Sequence, residues 1–129
     1  MARPKAFIVD DDPTFVKLLE NELDKSSFTP YETYLSGEEC LANLGHKPTL
    51  ILLDFTLGGL NGLDVLRAIK ERSPKTHVVM LTAVEDDMVK EKCLEAGADN
   101  YIIKDPDGLE RLQAEVLPKY RGGLFSFFR

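Results

Sequence analysis

Leu50-Ile51-Leu52-Leu53 is an unbroken aliphatic run that stops on Asp54. With no polar alternation, it predicts a strand buried on both faces, as in a parallel sheet with helices above and below. It is too short for a helix, and turn formers bound it, Gly45 and Pro48 before and Gly58-Gly59 after. A carboxylate ending such a strand stands at the carboxyl edge of the sheet, where ligands bind in open α/β folds. Burial there is unfavourable unless the group is paired or reaches solvent, so its neighbours decide what it is for.

The pattern recurs along the chain. Ala6-Phe7-Ile8-Val9 ends on Asp10-Asp11-Asp12, Val78-Val79-Met80-Leu81 on Thr82, and Tyr101-Ile102-Ile103 on Lys104. Residues 28–35 read as a more polar strand, which tolerates Pro30 only near its start or on a sheet edge. Helical signals fill the gaps. Asp12 is a good N-cap and Pro13 a good first residue for a helix with Phe15, Leu18, Leu19 and Leu23 on its apolar face. Ser36-Gly37-Glu38-Glu39 opens a short helix ending near Gly45, and Leu63, Leu66 and Ile69 mark one that stops before Ser73-Pro74. Met88, Val89 and Leu94 belong to the next, whose early acids Glu85, Asp86 and Asp87 suit a helix start and which Gly97 terminates. A last helix runs from Pro106 through Leu109, Leu112 and Val116 to near Pro118. Five strand–helix alternations predict right-handed crossovers and a doubly wound parallel α/β sheet. There is no internal repeat, so one domain is expected over residues 1–118, with an apolar tail over 119–129 that is either loose or a docking segment.

Composition narrows the classes. The 129 residues are 43% hydrophobic and 29% charged, an ordinary globular mixture long enough to bury a core. A net charge of −6 without a long basic run argues against nucleic-acid binding, which leans on phosphate neutralisation. No apolar run approaches a membrane span, and the first residues lack the apolar stretch of a signal peptide. Cys40 and Cys93 show no metal spacing and read as free thiols in a reducing cytoplasm. His46 and His77 belong to no catalytic or metal motif and read as structural or solvent-facing.

Four strand ends thus carry chemically useful groups to one edge of the sheet: Asp10 and Asp11, Asp54, Thr82, Lys104. In this order, and with Gly62 closing the loop after Asp54 and Tyr101 ahead of Lys104, the chain resembles the receiver domain of two-component response regulators over roughly residues 5–118. The resemblance implies a flavodoxin-like (βα)5 sandwich with strand order 2-1-3-4-5. It implies that Asp54 accepts a phosphoryl group from the phosphohistidine of a sensor histidine kinase or a histidine phosphotransfer protein. It implies Mg²⁺, with Mn²⁺ acceptable, held by Asp11 and Asp54 directly, by Asp10 mainly through water, and by the backbone carbonyl of Thr56. Oxygen-only ligation suits such a hard cation. Three close carboxylates repel one another, so a cation lets all of them stay ionised. Lys104 and the Thr82 hydroxyl would meet phosphoryl oxygens. Thr82 and Tyr101 would form the switch, the ring turning inward on phosphorylation, with output through protein contacts around the fourth helix, fifth strand and fifth helix.

The chain departs from the commonest pattern in places. Asp105 follows Lys104 where Pro is usual, and Gly58 stands in the loop after Asp54 where Pro is frequent. Thr56 and Val84 occupy the positions that usually tune phosphoryl lifetime, and neither offers a carboxylate or amide to orient water, so slow self-dephosphorylation is expected. Two rival readings exist. One is a receiver-shaped interaction module that takes no phosphate. The other is a phosphohydrolase resembling the haloacid dehalogenases, with Asp10 as nucleophile and Asp12 as acid/base, which leaves Asp54 without a role.

Overall fold

The computed structural model describes residues 4–26, 28 and 30–120. Strand β1 (Ala6–Val9) is followed by α1 (Pro13–Lys25), β2 (Tyr31–Tyr34), α2 (Gly37–Ala42), β3 (Leu50–Leu53) and α3 (Gly62–Arg72). Then come β4 (His77–Thr82), α4 (Asp87–Glu95), β5 (Asn100–Ile103) and α5 (Pro106–Arg111). The path of α5 continues through a wide π-type turn, Leu112–Val116, and a tight turn, Leu117–Tyr120. All strand pairs are parallel, in the order β2-β1-β3-β4-β5. This is the doubly wound topology expected from the alternation.

Alternate strand residues feed two cores. Ile8, Leu52, Val79, Leu81 and Ile102 pack under α1 and the end of α5, against Leu19, Leu23, Leu112 and Val116. Phe7, Val9, Ile51, Leu53, Val78 and Met80 pack on the other face, against Cys40 of α2, Leu66 and Ile69 of α3 and Cys93 of α4. That two-sided burial is why β1, β3 and β4 carry no polar alternation. Cys40 and Cys93 are free and buried, and burial pushes the Cys40 thiol up to about 12.

Where local pattern and structure differ, the reasons are physical. The polar strand spans only Tyr31–Tyr34, all half-buried, because it lies at the sheet edge. Phe28 instead folds under α1, its N–H donating to the Leu23 carbonyl at 2.8 Å, and the Pro30 carbonyl starts the ladder by accepting from Ala6 N at 3.2 Å. On α1 the buried stripe is Phe15, Val16, Leu19 and Leu23, while Leu18 is 41% exposed. On α4 only Cys93 is buried and Met88 is 69% exposed.

The start of β4 is pinned by polar contacts. Asp99 Oδ2 accepts from Val78 N at 2.9 Å and from Lys70 Nζ at 2.9 Å. Burial pushes this carboxyl up, but the Val78 N–H and the Lys70 ammonium outweigh it and hold it below the usual carboxylate range. A lowered folded-state pKa adds stability above the ordinary carboxylate range that is lost as pH falls through the folded value. Asp99→Asn therefore lowers the urea midpoint by an amount worth about 1 kcal/mol near neutrality, discounted for its half-exposed side chain. The two proteins should converge below the ordinary carboxylate range. A gap that persists unchanged in acid would exclude the carboxylate as its cause.

His77 Nδ1 lies 2.6 Å from the Tyr120 hydroxyl and Nε2 lies 2.7 Å from Asn100 Oδ1. Packed structure therefore runs past the 118 boundary expected from sequence, as far as Tyr120. The apolar segment Leu124–Phe128 lies outside the described residues.

Candidate functional site: a buried aspartate–lysine pocket

The strand ladders extend just past the strand ends and fix the site residues in register. Asp54 N donates to the Val9 carbonyl at 2.9 Å, Asp10 N to the Tyr34 carbonyl at 3.1 Å, and Lys104 N to the Thr82 carbonyl at 2.8 Å. Because Leu53 pairs with Met80, Asp54 stands level with Leu81, and Thr82 is one step further out. Gly62 then folds the loop after Asp54 back on itself. A Cβ there would fall 2.5 Å from the Asp54 carbonyl oxygen, a contact real Cβ atoms do not make.

Lys104 Nζ reaches into the pocket so formed, 2.6 Å from Asp10 Oδ2 and 3.1 Å from Asp54 Oδ2. Both carboxylates are buried, at 1% and 6% exposure. Their other oxygens are held by backbone: Asp10 Oδ1 accepts from Asp12 N at 2.9 Å and Asp54 Oδ1 from Thr56 N at 3.1 Å. Burial raises the Asp54 carboxyl above its ordinary value; the Thr56 N–H and Lys104 oppose that shift and the Asp10 charge reinforces it. For Lys104 burial works the other way, yet pairing with Asp10 and Asp54 wins and raises the ammonium's pKa. Lys104 is therefore a fixed positive charge.

One ammonium does not balance three carboxylates. Asp10, exposed Asp11 and Asp54 each bring an oxygen within 4.8 Å of the others. Asp10 Oδ2, though close to Lys104, is buried without a well-aligned hydrogen-bond donor. An oxygen-only donor set with surplus negative charge and a buried oxygen lacking an aligned donor fits a divalent cation such as Mg²⁺. Among the residues expected around it, Thr56 turns its N–H toward Asp54 Oδ1, at 3.1 Å.

Thr82 and Tyr101 meet at Val84. The Thr82 hydroxyl, fully buried, accepts from Val84 N at 3.1 Å, and the Tyr101 hydroxyl donates to the Val84 carbonyl at 2.6 Å. The Tyr101 ring is already inside, 6% exposed, held there by that bond. The resemblance implies an inward turn of this ring on phosphorylation, and in this structure the ring lies inside. Sequence reasoning noted Val84 only for its side chain and missed its backbone as the link. It also placed Phe15 only in the core. The Phe15 ring lies 4.7 Å from Lys104 Nζ, a contact between distant segments that no local sequence pattern signals.

Asp105, standing where Pro is usual, caps α5: its Oδ1 accepts from Gly108 N at 2.6 Å, and Pro106 takes the first helical position. Asp12 likewise caps α1, accepting from Thr14 N at 3.0 Å. That helix-capping role leaves the acid/base assignment of the haloacid-dehalogenase reading unsupported.

The family model for the response regulator receiver domain matches residues 6–116. The chain belongs to that family. This receiver is 36% identical over 101 residues to the alkaline phosphatase synthesis transcriptional regulatory protein PhoP of Bacillus subtilis, covering 78% of this chain and 42% of PhoP. It is 33% identical over 122 residues to a cyclic di-GMP phosphodiesterase of Thermotoga maritima, covering 95% of this chain and 32% of that protein. This receiver thus spans less than half the length of these relatives. Among solved structures it resembles the BeF3-activated DrrB receiver domain, with a TM-score of 0.80 and 35% identity over 89% of this chain and 95% of that one. No helix among the described residues is long and apolar enough to cross a membrane.

Proposed function

We propose that this receiver takes a phosphoryl group on Asp54 from the phosphohistidine of a sensor histidine kinase or histidine phosphotransfer protein in the cytoplasm, and signals by altered protein contacts. The observation that carries this reading is the buried Asp54 facing Lys104 beside a second and third carboxylate. An Asp54 oxygen forms the O–P bond as the P–N bond to the histidine breaks. Lys104, already directed at Asp54, receives a phosphoryl oxygen, and the Thr82 hydroxyl donates to another after leaving Val84 N. Such transfer depends mostly on positioning and charge, so the domain assists its own phosphorylation without turning over a separate substrate. Asp11, Asp54 and Asp10, with the Thr56 carbonyl, would hold Mg²⁺ or Mn²⁺. When bound, the cation neutralises charge so that one anion can approach another.

Moving Thr82 disturbs the Val84 turn to which Tyr101 is tied. Phosphorylation then shifts a two-state equilibrium in the loop leading to α4, reported at the surface shared by α4, β5 and α5. Neither Thr56 nor Val84 can orient an attacking water through its side chain, so phospho-Asp54 should survive far longer than seconds in the purified protein.

The test is to incubate the full chain with acetyl phosphate and Mg²⁺, trap the acyl phosphate with borohydride and locate it by peptide mass. The label is expected on Asp54, and absent with EDTA. Label on Asp10 would restore the phosphohydrolase reading, and no label at all would favour the phosphate-free interaction module.

A further inference from the structure

The Lys104 ammonium is bounded on three sides: Asp10 at 2.6 Å, Asp54 at 3.1 Å and the Phe15 ring centroid at 4.7 Å. Two of these are carboxylates that a receiver needs. The third is a side chain on a different element, set by the capping of α1 rather than by any strand. We propose that Phe15 is a positioning residue for phosphoryl uptake, its ring face holding the Lys104 ammonium against the Asp54 pocket. The inference rests on Asp54 being the phosphoacceptor.

The physical argument starts from the lysine's freedom. A four-carbon stem with rotatable bonds can swing its charge toward solvent, and ordering it loses side-chain entropy. Asp10 and Asp54 draw Nζ inward, and both directly follow strands. An aliphatic residue at position 15 would also be apolar but would offer the charge nothing. An aromatic face attracts a cation through its quadrupole, most strongly where water is thin. Here Phe15 is 9% exposed and the Lys104 side chain 11%, so the pair is largely desolvated.

The location of Phe15 makes the contact specific. Asp12 caps α1 and Pro13 occupies its first position, so Phe15 is fixed in the first turn, one residue before Val16 N donates to the Asp12 carbonyl at 3.0 Å. The same cap is joined to the pocket by Asp12 N donating to Asp10 Oδ1 at 2.9 Å. Ring, capping aspartate and pocket aspartate are therefore joined through the start of α1. When a phosphoryl group arrives, the ammonium must exchange an Asp54 oxygen for a phosphoryl oxygen while keeping Asp10. A ring 4.7 Å from the ammonium keeps it within reach during that exchange without competing as a hydrogen-bond acceptor.

The test uses the full chain with Phe15→Leu, which keeps apolar volume but removes the ring face, and Phe15→Tyr, which restores it. Phe15→Met is a second apolar variant in case leucine packs poorly. Two quantities are read. One is the ring-current shift of the Lys104 Cε protons by NMR, which requires no phosphorylation. The other is the maximal rate and half-saturating acetyl phosphate concentration for Asp54 labelling at saturating Mg²⁺. Phe15→Leu should abolish the upfield shift and lower the maximal rate about three- to tenfold with little change in half-saturation, and Phe15→Tyr should restore both. An unshifted Lys104 resonance in the wild-type chain overturns the geometry. Equal slowing in the leucine and tyrosine variants, or no slowing in either, overturns the positioning role. If wild-type label appears elsewhere than Asp54 while the Lys104 shift is present, the acceptor assignment has failed and the ring contact has not.

Discussion

Lys104→Met lowers the stability of the metal-free protein by about 3 kcal/mol near pH 8, because it strands two buried carboxylates without their cation. Methionine matches the stem of lysine, so little of this is packing. The penalty has a pH signature. Burial already raises the Asp54 carboxyl, with Asp10 adding to that shift, and Lys104 is one of the groups opposing it. Without the ammonium that carboxyl rises further. An acid whose folded-state pKa is raised is fully destabilising above that pKa; the penalty shrinks as pH falls through it and is gone only below the ordinary carboxylate value, where both states are neutral. The urea midpoint of the variant should therefore approach that of wild type as pH is lowered below the raised carboxyl range of Asp54. Mg²⁺ offers a second route to neutralisation. It should stabilise Lys104→Met more than wild type at pH 8, since in the variant it supplies the only counter-charge. A deficit that is flat with pH and indifferent to Mg²⁺ would show that Lys104 matters for packing and not for charge. Acetyl phosphate labelling of the variant should also fall by at least tenfold, since no other cation among the described residues lies within 4.0 Å of Asp54.

The difference between these groups and the rest of the site also explains what could be read in the chain beforehand. Strands buried on both faces must be continuous aliphatic runs, so β1, β3 and β4 announce themselves, and the residue after each run lands at one sheet edge. Asp10, Asp54 and Thr82 were legible for that reason, and Lys104 because it follows the apolar Tyr101-Ile102-Ile103 of β5. The edge strand β2 was legible as a polar strand but not in its bounds, since one open side relaxes the demand for apolar residues and the stretch 28–35 could be divided several ways. Nor was the stripe of α1, where Val16 and not Leu18 turns inward; each stands about 100° from a buried neighbour, Phe15 or Leu19, and pattern alone does not choose between them. Contacts made by backbone carry no residue code at all. The Thr56 N–H on Asp54, and the Val84 N–H and carbonyl that tie Thr82 to Tyr101, could stand under almost any side chain. Long-range polar pairs share that opacity: His46 with Glu32 at 2.7 Å and His77 with Tyr120 at 2.6 Å join segments that no local pattern connects. Phe15 is the instructive middle case, an apolar residue whose core role was evident and whose second contact, with a charge on β5's end, was not.

Gly108→Ala should destabilise the domain by about 3 kcal/mol or more, since no other described glycine would bring a Cβ so close to a neighbouring atom. An alanine Cβ there would fall 1.8 Å from the Ile103 carbonyl oxygen and 3.0 Å from Ile102 Cγ2. The obstruction is main chain, which no rotamer change relieves. Nor is it a matter of glycine's freedom of φ, since α5 is helical at this point; what the position requires is the absence of a side chain. The first turn of α5 lies directly on the end of β5, and the Gly108 N–H is held there by the Asp105 carboxylate. To admit a methyl group the helix must lift from the strand, and the Lys104–Asp105 turn must lift with it. Lys104 Nζ, now 2.6 Å and 3.1 Å from its two carboxylates, would lose its aim before the fold lost its topology. The variant that remains folded at low temperature should thus show both a lowered urea midpoint and slowed labelling of Asp54. Gly45→Ala is the matched control: its Cβ meets nothing within 4 Å, so it should be neutral or slightly stabilising through the unfolded chain. If Gly108→Ala leaves the midpoint where it was, α5 does not sit on β5 as closely as described, and the placement of Lys104 by that contact is wrong. If the midpoint falls while labelling of the folded fraction stays at the wild-type rate, the helix contributes stability alone, and the aim of the lysine is set by Asp10, Asp54 and Phe15 without it.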